Sequence, residues 1–248
     1  MSSNEWFADE EFWIASYPFM FPDRRVEAAE REVEQILALT GRPVGAVLDL
    51  ACGPGRHAVA LARRGFAVTG VDRSTFLLGK ARSRAKELGL EIEWVHDDMR
   101  AIRRPATFDL ALSLFTSFGF FRDDADNQQV LDNVAESLKA SGVFVLDMLG
   151  KEIIARGYMP TGTTEFPDGL VVQRRRVAGD WSRMENEWIL LEDGRARSFH
   201  FHHWIYSGRE IEWMFRKAGF AEVRVLGGLD GTPYGPEAKR LVVVGTKH

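Results

Sequence analysis

The stretch Val47-Leu-Asp-Leu-Ala-Cys-Gly-Pro-Gly-Arg-His-Ala58 holds the residues best placed for chemistry. An apolar run enters a turn containing Gly53 and Gly55, and a helical pattern leaves it. Glycine allows backbone angles closed to other residues and lets a ligand approach the main chain. Gly53-x-Gly55-x-x-Ala58 meets a dinucleotide fingerprint with alanine in third place, and Asp72 supplies the acid that would hold a ribose. Asp49, four residues before Gly53, points elsewhere: a carboxylate there does nothing for a pyrophosphate but accepts from an amino group. Asp97-Asp98-Met99 follows the third apolar run, where a carboxylate can accept from an adenine amine while a backbone amide reads the ring. Three acids around one glycine turn suit a nucleoside that carries cationic groups and no phosphate. Turn-forming and capping duty explains any one of these acids, but explains all three together poorly.

A second set lies around Asp193-Gly194, a strong two-residue hairpin signal. Counting outward from that turn, Glu192 faces Arg195; farther out, Glu187 faces His200 and Glu185 faces His202, and these four share one side. The other side carries Met184, Asn186, Trp188, Leu190, Phe199, Phe201 and His203. Either that aromatic side packs down as core, or it lines an acceptor pocket in which Trp188 and Phe201 touch substrate and His203 takes part in catalysis. His200-x-His202 has the spacing of metal ligands on a strand, but no further ligand is identified, and no metal is expected. In Arg174-Arg-Arg176, alternation sends Arg175 to the opposite face from its neighbours, as on a solvated edge strand.

These groups need elements to position them. Between residues 22 and 150, helical and fully apolar strand patterns alternate. A helix opens at Pro22-Asp23 and stops at Gly41, and strands are expected at Ala46–Leu50, Phe66–Val71, Glu91–Val95, Phe108–Leu114 and Val143–Met148. Such alternation predicts an α/β fold with a parallel sheet covered on both faces. Residues 151–206 read as a β-rich insertion, an acceptor cap or dimer surface. Ser207-Gly-Arg-Glu210 is a capping box that resumes the α/β pattern over 207–248. The first 21 residues carry Trp6, Phe7, Phe12, Trp13, Tyr17, Phe19 and Phe21; so aromatic a segment packs on the core or covers a site.

Composition narrows the classes. The 248 residues are 45% hydrophobic and 27% charged, as in ordinary globular proteins. A net charge of −4 gives no basic field for a phosphate backbone, so nucleic acid is not an expected partner. Cys52 is the single cysteine, which fits a reducing, cytoplasmic setting. No apolar run is long enough for a membrane span, and Met1-Ser-Ser-Asn-Glu-Trp is unlike a signal peptide.

Taken in order, the motifs resemble the class I S-adenosylmethionine-dependent methyltransferases, small-molecule branch. Asp49-Leu-Ala-Cys-Gly-Pro-Gly55 matches their first motif, Val71-Asp72 the second and Asp97-Asp98-Met99 the third. Phe108-Asp-Leu-Ala-Leu-Ser-Leu-Phe-Thr-Ser-Phe-Gly119 looks like the fourth-strand motif. The resemblance implies a Rossmann-like, seven-stranded, mostly parallel sheet with an antiparallel last strand. It implies S-adenosylmethionine as cofactor, with Gly53 and Gly55 at the methionine part, Asp72 on the ribose, Asp98 on the adenine amine and the Met99 amide at the ring. Tyr17, Asp49, Ala51, Arg73, Asp97, Leu114 and Phe115 complete the expected cofactor pocket, with domain limits at 1–150, 151–206 and 207–248. Tyr206, which resembles a tyrosine common in that branch, joins His203 as a catalytic candidate, and Phe118 joins the substrate side. Phe120 and Phe121 stand where some amino-sugar enzymes have a histidine, which favours an aromatic or apolar acceptor. The activity expected is methyl transfer to an N or O atom of a small molecule, by a monomer or homodimer. Two rival readings are an NAD-dependent oxidoreductase and a cofactor-binding module that acts only through its insertion.

Overall fold

Strands apolar at every position must lie where both faces are covered, and that is where the computed structural model places them; it describes residues 5–41 and 44–248. Met1–Asn4, part of the segment read as unlike a signal peptide, lie outside the described residues. A 3-10 turn (Trp6–Ala8) and α1 (Glu10–Met20) precede α2 (Asp23–Thr40). Then β1 (Ala46–Leu50), α3 (Arg56–Ala62), β2 (Ala67–Asp72), α4 (Thr75–Glu87), β3 (Glu93–His96), β4 (Phe108–Ser113), α5 (Asp124–Ser137) and β5 (Leu138–Met148) follow. After α6 (Lys151–Arg156) come β6 (Thr161–Phe166), β7 (Gly169–Ala178), β8 (Arg183–Glu192) and β9 (Arg195–Trp204). The chain closes with α7 (Gly208–Lys217), β10 (Phe220–Leu226) and β11 (Leu241–Lys247).

Seven strands form one sheet in the order β10-β11-β5-β4-β1-β2-β3. Neighbours from β5 to β3 are parallel, while β11 runs antiparallel to both β5 and β10. The expected Rossmann-like sheet with an antiparallel last strand is therefore present. Alternate residues feed two cores: Leu48, Leu50, Phe144, Leu146 and Phe215 on one face, Val33, Ile36, Val47, Leu110 and Val145 on the other. The order reverses between β1 and β4, which opens a crevice at the carboxyl ends of the strands.

The second sheet, β6-β7-β8-β9, is wholly antiparallel. Its β8–β9 register is the one counted from Asp193-Gly194, with Glu187 opposite His200 and Glu185 opposite His202. Both turn residues have positive φ, 50° and 70°, as a primed hairpin turn requires. β6 was not foreseen; Thr161-Gly-Thr-Thr-Glu-Phe166 is a mostly exposed edge strand with no apolar alternation to betray it. This sheet docks at Gly119, where the Trp204 amide donates to the Gly119 carbonyl at 2.7 Å. A Cβ on Gly119 would sit 2.9 Å from the Trp204 carbonyl oxygen, so glycine permits the approach.

Two further differences concern element ends. α5 stops at Ser137 and β5 begins at once, because Leu138 pairs with Phe108 before the chain kinks through Ser141 at φ 60°. The aromatic N-terminal segment contains a regular helix, α1, capped by Asp9 and carrying Pro18 within it. Its aromatics point in several directions, which hides the helical period.

Candidate functional site

The crevice widens into a cavity of about 480 Å³ between the ends of β1, β2, β3 and β4, the N-terminal segment and the inner face of the second sheet. Asp49, Ala51, Gly53, Asp72, Arg73, Asp97, Asp98, Met99, Leu114 and Phe115 all line it, as expected from their order in the sequence. Gly55 lies just behind. It caps α3 at φ 73°, and a Cβ there would come within 2.7 Å of the Trp94 ring and 2.8 Å of Ala81.

Asp49 is 2% exposed, and its Oδ2 has no hydrogen-bond partner among the described residues. Burial pushes its carboxyl up to about 7 against the opposing pull of Arg56, and the charge of Asp72 adds to the rise. Asp72 accepts from the Gly53 amide at 2.7 Å and the Ser74 amide at 2.9 Å, so it shapes the turn as well as facing the cavity. Burial still raises it to about 6. Asp98 differs. Burial raises its carboxyl, but Arg100 outweighs that and holds it below the usual range. Arg100 donates to Asp98 from its backbone amide at 2.9 Å, from Nε at 3.0 Å and from a terminal nitrogen at 2.6 Å. The same guanidinium reaches Glu5 and Asp126 and lies over the Phe121 ring, which fixes the Asp98 carboxylate in place.

The roof over these acids is the N-terminal segment. The Glu10 carboxylate accepts from the Thr75 amide at 2.6 Å, the Ser74 hydroxyl at 2.7 Å and the Thr75 hydroxyl at 2.8 Å, stapling α1 to the start of α4 beside Asp72. Trp6 donates from its indole to the His202 carbonyl at 3.0 Å, and its ring lies 4.7 Å from Phe120 and 4.9 Å from Phe201. Phe12 packs against Trp188, Phe199 and Phe201.

Opposite the glycine turn, Asn186, Trp188, Phe201 and His203 face the cavity from β8 and β9. Burial pushes the His203 imidazole down to about 4, with His202 adding to the fall. Its Nδ1 lies 3.4 Å from the Asn186 amide nitrogen. A ring neutral at pH 7 and so weakly basic suits orienting a substrate better than removing its proton.

Three candidate residues lie elsewhere. The Tyr206 hydroxyl donates to Asp124 beneath α7, its ring is stacked 6.3 Å from Trp204, and it does not line the cavity. Phe118 is 1% exposed and packs on Tyr206 as core. Tyr17 turns toward α4, 5.5 Å from Phe76 with Lys80 over its ring, while Phe19, Met20 and Phe21 of the same segment line the cavity. Each stands close to the cavity in the chain, but its ring turns away, Tyr17 from α1 and Phe118 and Tyr206 from the loops that follow β4 and β9.

The site also contains residues not singled out beforehand. Asp147 at the end of β5 accepts from the Phe115 amide at 2.9 Å, and its carboxylate is held by Arg240 at 2.6 and 2.9 Å. This clamps Phe115 and Thr116, both non-glycine residues at positive φ, 67° and 63°. Such strain costs about 1 to 3 kcal/mol and persists only where the surroundings impose it. Arg25, Arg56 and Arg240 surround the Phe115 ring with centroid distances of 4.5, 5.0 and 5.7 Å. His57, which also lines the cavity, meets Glu32 at 2.7 Å. No local signal marks Arg25, Asp147 or Arg240, because their meeting depends on elements far apart in the chain.

Comparison with known proteins follows the same lines. Residues 47–142 match a family model described as a methyltransferase domain. The glycine/sarcosine N-methyltransferase of Aphanothece halophytica is 30% identical over 154 residues, 61% of this chain; the chain spans about half, 53%, of that relative's length. The dTDP-3-amino-3,6-dideoxy-alpha-D-glucopyranose N,N-dimethyltransferase of Streptomyces fradiae is 27% identical over 81% of each chain. Among solved structures, an S-adenosylmethionine-bound amino pentose methyltransferase from Micromonospora echinaspora superposes with a TM-score of 0.66 at 25% identity, covering 90% of this chain and 91% of that one. The motif resemblance and the fold therefore agree: this is the class I S-adenosylmethionine-dependent methyltransferase fold.

Proposed function

We propose that this chain, with the class I fold and its motifs in order around one cavity, transfers a methyl group from S-adenosylmethionine to an N or O atom of a small molecule. One observation carries the reading: Asp49 lines the cavity together with the glycine turn, and one of its buried carboxylate oxygens has no partner among the described residues. It suits an ammonium group and would repel the diphosphate of a dinucleotide. The residues present thus fit this cofactor, which supplies an electrophilic methyl on a sulfonium.

In this reading Asp49 accepts from the methionine amino group, and Arg25, lying over Phe115 beside Arg56, pairs with the carboxylate. Asp72 accepts from the ribose hydroxyls. Asp98, oriented by Arg100, accepts from the adenine amine, and the Met99 amide donates to the ring. The second sheet acts as the acceptor cap: Trp188 and Phe201 supply apolar walls and His203 with Asn186 orients the nucleophile, while α1 excludes water. Aromatic walls at Phe120 and Phe121 support an aromatic or apolar portion in the acceptor; by their names, two of the three relatives act on amino sugars and the third on glycine or sarcosine. The net charge of −4 supports a small-molecule acceptor over nucleic acid, and the single buried Cys52 supports a cytoplasmic location. Among the described residues no helix is long and apolar enough to cross a membrane.

Calorimetric titration with S-adenosylhomocysteine beside NADH tests the reading. Binding of the first and not the second is expected. NADH binding with no response to S-adenosylhomocysteine would overturn it in favour of an oxidoreductase. S-adenosylhomocysteine binding without turnover on any of a broad set of acceptors would favour a non-catalytic binding module.

The two raised carboxyls give the binding a pH dependence. A cationic amine and ribose hydroxyls both favour ionised Asp49 and Asp72, so protons compete with the cofactor below about pH 7 and again below about pH 6. Affinity for S-adenosylhomocysteine is expected to fall as pH drops from 8 to 5, by up to roughly tenfold per unit for each group. For the ligand-free fold the sign is opposite. Groups with raised folded pKa contribute stability that is full below their unfolded values and lost as pH rises toward 7. Melting curves should therefore show a larger gain from S-adenosylhomocysteine at pH 8 than at pH 5.5. A pH-independent gain would place the amino group away from Asp49.

A further inference from the structure

The acids of the cavity are confined to one side of it, whereas arginines line both. Its carboxylates, Asp49, Asp72, Asp97 and Asp98, all sit at the strand ends around the glycine turn. Among the described residues, the wall formed by the second sheet contributes none, yet it contributes Arg175. Strand alternation explains how a basic run yields this. Arg174 and Arg176 face outward, where Arg174 meets Glu187 at 3.1 Å and Arg176 meets Glu185. Arg175 between them turns inward, on the same side as Val171 and Gln173 and directly opposite Asn186 of β8.

There it is half-buried and has no ion-pair partner among the described residues. Its guanidinium reaches only the Gln173 side-chain oxygen and, at 3.5 Å, the Met159 carbonyl. Burial holds it below the usual arginine range, with only the Tyr158 hydroxyl group pulling the other way; it stays charged at neutral pH all the same. The donors near it are poorly used. The Asn186 amide has contacts only at 3.4 Å, and the Trp188 indole N–H is buried without a partner. A partly desolvated cation beside idle donors, in a wall without acids, is costly unless an anion joins it.

We propose that the methyl acceptor carries an oxyanion, a carboxylate or phosphoryl group, and that Arg175 binds it with the Asn186 amide and the Trp188 indole N–H as neighbouring donors. A planar guanidinium presents two parallel N–H groups to either oxyanion. The aromatic rings around it then hold the uncharged part of the acceptor. This rests on the methyl-transfer reading for the word acceptor, while the anion site itself does not need it.

The probes are benzoate, phenyl phosphate and neutral benzamide, titrated into the protein with and without S-adenosylhomocysteine. At least one anion is expected to bind tenfold or more tightly than benzamide, and the tighter of the two tells carboxylate from phosphoryl. Arg175→Gln should remove that preference while leaving S-adenosylhomocysteine affinity within twofold, and Arg175→Lys should restore part of it. Benzamide binding as tightly as both anions, no detectable anion binding, or a preference unchanged in Arg175→Gln would each overturn the proposal. Failure of S-adenosylhomocysteine to bind would instead overturn the methyl-transfer reading alone, since the anion titrations are also run without it. The comparison among probes on the wild-type protein holds even if a variant folds poorly.

Discussion

Asp72→Asn is expected to weaken S-adenosylhomocysteine by roughly 30- to 700-fold while the protein stays folded. The carboxylate would accept from two ribose hydroxyls, and charge-assisted acceptors of this kind contribute about 2 to 4 kcal/mol together. Asparagine is chosen over alanine because Asp72 also accepts from the Gly53 and Ser74 amides. An amide oxygen keeps one of those bonds, whereas alanine would leave two buried N–H groups unpaired and confuse binding with folding. Calorimetry gives the affinity, and a melting curve shows that the fold survives. Wild-type affinity in a folded variant would move the ribose to another part of the cavity. Asp98→Asn should have the smaller effect, because Arg100 already occupies both of its oxygens and a single neutral donor is lost.

Removing residues 1–21 is expected to abolish turnover and loosen the cofactor. The segment is the roof of the cavity, and it is held by more than apolar contact: Glu10 staples it to the first turn of α4, and Trp6 bonds to β9. Without it Trp188, Phe199 and Phe201 would face water, and solvent would compete with both ligands. Phe12→Ala separates packing from coverage. Phe12 is 3% exposed, and deleting such a ring costs about 3 to 5 kcal/mol, a fall in Tm of roughly 6 to 20 °C. If the truncated protein retains its turnover, the segment is a packing strap and the cavity is sealed by other means.

The parts legible in the sequence were those whose signals are local. Fully apolar strands between helical patterns predict a parallel sheet because nothing else buries both faces. An Asp-Gly turn fixes a hairpin register because both residues accept positive φ, and so Glu187 and His200 could be paired by counting. The acids around the glycine turn were legible because each lies at a strand end and strand ends of a parallel sheet share one edge. Where a helix carried aromatics all round, as α1 does, the period vanished, and its existence was not foreseen.

Direction was the harder question. Tyr17, Phe118 and Tyr206 each stand within a few residues of the site, yet their rings point into core or toward another helix. Arg175 is the converse, a member of a solvated run whose alternation sends it into the cavity. The sequence by itself determined the α/β sheet, the glycine turn with its ring of carboxylates, and the faces of the hairpin, since periodicity and turn chemistry act over a few residues. Only the tertiary structure decided which face of the insertion meets the crevice, that Glu10 locks the roof onto α4, and that Arg25 and Arg240 converge on Phe115. Those outcomes follow from how distant elements pack, where partners such as Asp147 and Arg240 stand 93 positions apart and no local pattern records their meeting.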